Sequence, residues 1–144
     1  MERENYLKGK IVNLEKGNTE IAAEMISNIL NADIFEIVAE KEYPFNYNEC
    51  IEIAKKELRE NSKIKLKQDV DIKEYDTIFV GYPNWWGTVP MPVWTFLEGK
   101  DFTNKNNGFE KISFKYLDVN FTLKFSIVLF CNPYICSHIV RASK

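Results

Sequence analysis

The chain has 144 residues, 45% of them hydrophobic and 28% charged, the proportions of one ordinary soluble domain with its own core. That apolar content excludes a disordered chain, and 6 glycines with 5 prolines exclude a collagen-like or low-complexity one. A net charge of −2 excludes a general nucleic-acid binder, which needs a basic face. Three cysteines (Cys50, Cys131 and Cys136) without a CxxC pair argue against a disulfide framework or a structural zinc site.

Residues 1–17 are polar and lack periodicity, and they read as a loop. From Asn18 the pattern turns helical. Ile21, Ala22, Met25, Ile26, Ile29 and Leu30 fall on one apolar stripe. Asn18 is the expected N-cap, and Glu20 sits in the first turn, where the dipole favours an acid. Asn31 and Asp33 close this helix. Ile34, Phe35, Ile37 and Val38 then make a short strand, which Pro44 breaks. A second helix is expected from Asn48 to Asn61, with Ile51, Ala54 and Leu58 inward and Lys55, Lys56, Arg59 and Glu60 in solvent. After a polar, extended stretch, the apolar run Thr77 to Tyr82 suits a parallel strand covered on both faces. Pro83 to Pro92 is an aromatic-rich loop, and a third helix runs from Val93 to Glu98, ended by Gly99. Such alternation describes an α/β fold, an open parallel sheet with helices on both faces. Ligands of these sheets sit beyond the carboxyl ends of the strands.

Two loops qualify by position. Lys16-Gly17-Asn18-Thr19 opens a helix, where unpaired N–H donors and the positive dipole end attract phosphate. An ordinary helix cap behind a turn glycine explains the same four residues. Pro83-Asn84-Trp85-Trp86-Gly87-Thr88 follows the buried-type strand. Tryptophan suits a place where one face packs and a polar edge finds a partner, and here it could stack on a planar ligand. The alternative is that the indoles cap the core beneath the loop. Gly87 would let a neighbouring peptide unit turn towards a ligand.

Together, Lys16-Gly17-Asn18-Thr19-Glu20-Ile21 and the run from Tyr75 to Pro92, with its GYPNWWGTVPM core, resemble the flavodoxin family. The likeness is narrower to its members with a GYPxWWGxxPM loop, and it covers roughly residues 4–105. Asp33 to Ile37, the Tyr43-Pro44 turn and Ala54 to Leu58 match as well. The resemblance implies a flavodoxin-like fold that binds FMN. Electrons would pass to redox partner proteins or a small-molecule acceptor, as an electron carrier or a small flavin oxidoreductase. By the same resemblance, Lys16, Gly17, Asn18 and Thr19 belong to the phosphate loop and Trp86 flanks the isoalloxazine ring. Gly87 would supply the peptide that reorients on flavin reduction, and Pro83, Asn84, Trp85 and Thr88 would line the loop.

Where the family has an apolar first strand, this chain has Met1 to Tyr6, so that central strand is expected to be missing and the sheet incomplete. Leu14 and Lys16 stand where phosphate-binding hydroxyls belong. The likeness fades after Lys105. Residues 101–144 carry +3 against −5 in residues 1–100, with eight aromatics, and Ser126 to Cys131 is strand-like. The expected organisation is a truncated FMN-binding domain over residues 1–105. The tail over 106–144 is either divergent or the domain's remaining strand and helix. The second reading is a cofactor-free remnant that acts at most as an interaction module through an exposed sheet edge. His138 lacks a nearby acid, Cys50 sits on a charged helix, and Glu4, Glu15 and Glu20 read as solvated, so no catalytic set and no metal site is expected. No leader pattern opens the chain. Phe125 to Val140 is too polar to span a bilayer, so a cytoplasmic protein without a membrane partner is expected.

Overall fold

The polar opening segment is a hairpin rather than a loop. In the computed structural model, which describes residues 3–7, 9–75, 77–102, 110–114, 119–123 and 126–130 (the last three segments by backbone alone), β1 (Arg3–Leu7) pairs antiparallel with β2 (Lys10–Leu14). Gly9 turns between them at φ +85°. The hairpin escapes a periodicity reading because it packs on one side only, and even Ile11 is largely exposed. Glu4, expected in solvent, instead accepts hydrogen bonds at the start of the second helix, from Tyr47 N (2.8 Å) and Asn46 Nδ2 (3.1 Å).

The helices fall close to their expected places. α1 spans Asn18–Leu30, α2 Tyr47–Glu60 and α3 Met91–Glu98. α1 and α2 end on Asn31 and Asn61, both in the left-handed conformation that asparagine tolerates. Asn18 does not cap α1. Gly17 occupies that position and has no side chain to offer the first turn. The apolar stripe of α1 also faces differently from expectation. Thr19, Ala22 and Ala23 are buried, while Met25, Ile29 and Leu30 are exposed. Small residues let the helix approach the sheet closely, and a helix apolar on several sides offers more than one candidate face.

β3 (Asp33–Glu36), β4 (Thr77–Pro83), β5 (Glu110–Phe114), β6 (Val119–Leu123) and β7 (Ser126–Phe130) form one sheet in the order β3-β7-β4-β6-β5. β3, β7 and β4 are mutually parallel, whereas β6 runs antiparallel to β4 and to β5, so the sheet is mixed rather than wholly parallel. Flavodoxin-like sheets follow the order 2-1-3-4-5. Here β3 and β4 take the second and third places, and β7, from the far end of the chain, lies in the first strand's place between them. The slot expected to be empty is therefore filled. Without a strand there, β3 and β4 would each lose ladder partners, at about 1–3 kcal/mol per buried unpaired group.

The core sits on the α3 side of β4. Ile78 and Val80 pack with Val93 and Phe96 of α3, joined by Ile37 and Ile72. Phe79 points to the opposite face, as strand alternation requires. α1 contributes nothing to that cluster and packs against β7, β4 and β3. Cys131, Cys136 and His138 lie outside the described residues.

Candidate functional site

Two residues, Asn31 and Ala32, separate α1 from β3, so α1 runs back against the strand direction. Its 13 residues make a helix about 20 Å long, longer than the four-residue β3. The first turn of α1 therefore lies towards the carboxyl ends of β3, β7 and β4. β4 ends at Pro83, and the tryptophan loop begins at that same edge. Topology alone thus brings the two loops to one edge of the sheet.

At α1, Gly17 and Thr19 are buried and Asn18 is half-buried. Gly17 O accepts from Ile21 N at 3.1 Å, the first bond of the helix. With glycine at the cap position, the turn brings backbone N–H groups and the positive end of the dipole together. Lys16 is exposed and ion-paired with Glu24 at 2.5 Å. That bond, with Glu20 and Glu15 also near, holds the ammonium above its ordinary pKa. The one cation of this loop is thus engaged by a carboxylate.

In the second loop the two tryptophans part company. Trp85 N donates to Thr88 O (3.0 Å) and Thr88 N to Trp85 O (2.9 Å), closing a two-residue turn. Its central residues, Trp86 (φ +52°) and Gly87 (φ +82°), are both left-handed, as a type I′ turn demands. Side chains on successive residues of such a turn diverge. Trp85 is 4% exposed and packs with Tyr47, Cys50 and Ala54, its ring edge-on to Tyr43 at 5.4 Å. Trp86 is 49% exposed, in a backbone conformation unusual for a bulky residue. Strain of this kind costs about 1–3 kcal/mol and concentrates at functional positions. Pro83 and Asn84 are buried, Thr88 is half-buried, and a Cβ on Gly87 would meet open space.

Residues that carry no sequence signal complete the surroundings. Lys55 of α2, read as a solvent lysine, places Nζ 5.6 Å from the centre of the Trp86 ring. Tyr6 of β1 stacks on Tyr47 at 5.9 Å and joins the Trp85 cluster, which ties the hairpin to the support of the tryptophan loop. Tyr43 donates its hydroxyl to Glu57 at 2.6 Å. Burial raises the Glu57 carboxyl above its ordinary pKa, opposed by that bond and by Lys41. Only the folded chain brings these pairs together, since each joins residues from different elements. Among the described residues no group of three His, Cys, Asp or Glu could hold a metal ion. Nor is any helix among the described residues long and apolar enough to cross a membrane.

No curated protein and no solved structure matches the chain. A family model described as Flavodoxin matches residues 11–107, about two thirds of the length, including all of α1, β3, α2, β4 and α3 and both loops. An α/β sheet wound with β3 and β4 in the second and third places, carrying both loops at its carboxyl edge, agrees with that match, and the chain belongs to the flavodoxin family.

Proposed function

We propose that this chain binds FMN at the carboxyl edge of its sheet and acts as an electron carrier or a small flavin oxidoreductase. The observation that carries this reading is the pairing, along one edge, of a helix N-terminus that opens on Gly17 with a half-exposed, strained Trp86. Backbone donors at Gly17, Asn18 and Thr19 suit a phosphate. The Trp86 ring suits one face of an isoalloxazine, and Gly87 has open space beside it in which its peptide can turn. Pro83, Asn84, Trp85 and Thr88 hold that loop from beneath, Trp85 by packing rather than by stacking.

The residues fit the flavin better than they fit its charge. Glu15, Glu20 and Glu24 surround Lys16, so Lys16 would have to leave Glu24 to meet a phosphate, and affinity should be modest. When bound, the flavin supplies the one- or two-electron chemistry. The chain binds it, screens one face with Trp86 and fixes its phosphate end. The partner would be a redox protein or a small acceptor that reaches the exposed ring edge. The cofactor-free reading draws less support, because β7 fills the slot whose vacancy motivated it.

Titrating the purified chain into FMN and into riboflavin, with flavin fluorescence as the readout, tests the proposal. Quenching of both is expected, with tighter binding of FMN. A chain that quenches neither refutes flavin binding, and equal affinities refute the phosphate role of residues 17–19.

A further inference from the structure

Consecutive residues of α2 meet consecutive residues of the tryptophan loop. Ala54 packs with Trp85, and Lys55, the next residue, sets Nζ 5.6 Å from the centre of the Trp86 ring. Trp86 is 49% exposed, as a flat ring with one face covered and the other open would be. The paired bonds between Trp85 and Thr88 hold the turn beside α2. Lys16, Lys63, Lys65 and Lys100 each pair with a carboxylate, whereas Lys55 forms no ion pair among the described residues. What holds its ammonium at the ring is the negative face of the indole.

We propose that Lys55 makes this site discriminate between the oxidation states of the flavin, holding the reduced ring in preference to the oxidised one. It rests on flavin binding beside Trp86. The oxidised isoalloxazine is neutral. Taking up two electrons and one proton, from a donor such as dithionite, leaves it with one negative charge above neutral pH. A ring stacked on the open face of Trp86 has Lys55 behind the indole. The ammonium then acts in two ways of the same sign. It attracts the anion, and it draws π density from the indole, which stacks better on an electron-rich ring as a result. Opposite unit charges about 10 Å apart change an equilibrium constant roughly two- to fifteenfold, between the screening of bulk water and that of a protein surface. With Lys16 engaged by Glu24, Lys55 is left to answer the charge that reduction adds. Lys55 is a positioning residue in this role, since it acts through Trp86. The bound flavin is easier to reduce than it would be over a neutral side chain, which suits a chain that receives electrons.

Lys55→Met keeps the length of the side chain and removes its charge, and Lys55→Arg keeps the charge. Reductive titration with dithionite against a reference dye, combined with the affinity for oxidised FMN, gives each chain's affinity ratio of reduced to oxidised flavin. The ratio should fall at least about twofold in Lys55→Met and stay near native in Lys55→Arg. An unchanged ratio in Lys55→Met, or an equal fall in both variants, overturns the proposal and leaves flavin binding intact. A native chain that binds no flavin overturns flavin binding and this proposal together. A second measurement needs no flavin. The emission of Trp86, taken by difference from chains carrying Trp86→Asn, is quenched with iodide and with caesium. Lys55→Met should make iodide the weaker and caesium the stronger quencher relative to the native chain. Quenching that does not change removes the ammonium from the ring and overturns the proposal.

Discussion

Replacing Trp86 with asparagine separates what this residue costs the fold from what it offers a ligand. Trp86 stands at φ +52° in a type I′ turn, next to Gly87 at φ +82°. Asparagine tolerates that region far better than tryptophan, and Asn-Gly is the favoured pair for this turn. Relief of strain of about 1–3 kcal/mol is offset by loss of the Lys55 contact, worth about 0.5–1 kcal/mol at an exposed site. Since Trp86 is 49% exposed, little further burial is lost. The net expectation is a gain of roughly 1 kcal/mol, which for a domain near this size raises Tm by about 2–4 °C. Flavin affinity should move the other way. Loss of an aromatic stack worth up to about 1.5 kcal/mol beyond its area weakens FMN and riboflavin alike by roughly tenfold. Thermal unfolding followed by far-UV circular dichroism, paired with flavin titration, reads both effects. A variant less stable than the native chain would show that Trp86 supports the core after all. Unchanged flavin affinity would remove it from the site.

Glu4→Ala should lower stability by about 1 kcal/mol, the usual net value of a lost hydrogen bond, because Glu4 accepts from Tyr47 N and Asn46 Nδ2. An unmoved urea midpoint would show that the hairpin does not brace α2. Glu57 is raised in the folded state by burial, so its contribution to stability is full at low pH and is lost as pH rises from the ordinary carboxylate range through its raised value. Glu57→Gln, which still accepts from Tyr43, should therefore gain on the native chain as pH climbs from acid to neutral. A stability difference that stays flat with pH contradicts this. Glu20→Gln removes one of the acids near Lys16. At a surface separation of about 8 Å in water a unit charge is worth roughly 0.5 kcal/mol, so FMN should bind about twofold tighter and riboflavin should be unaffected. An equal change for both flavins would mean that Glu20 acts on the ring end or on the fold.

Period and composition by themselves determined the helices α1, α2 and α3, the buried strand β4 and the two loops that flank the sheet edge. These features are local. The apolar run Thr77 to Tyr82 and the stops at Asn31, Asn61 and Gly99 each act within a few residues of where they are read. Tertiary structure decided what depends on partners distant in the chain. Which strand lies between β3 and β4 is settled by ladder bonds to residues 126–130, nearly fifty positions beyond β4. The apolar run Ser126 to Phe130 reads as a strand, but nothing in it names β3 and β4 as its neighbours. The fates of Trp85 and Trp86 follow the same logic. Adjacent and chemically identical, they are distinguished only by the paired bonds between Trp85 and Thr88, which turn one indole towards Tyr43 and leave the other half in solvent. Glu4 and Lys55 likewise carry no local mark. A carboxylate meets the first amide of a helix, and a surface ammonium covers an indole, only when folding has set another element beside it.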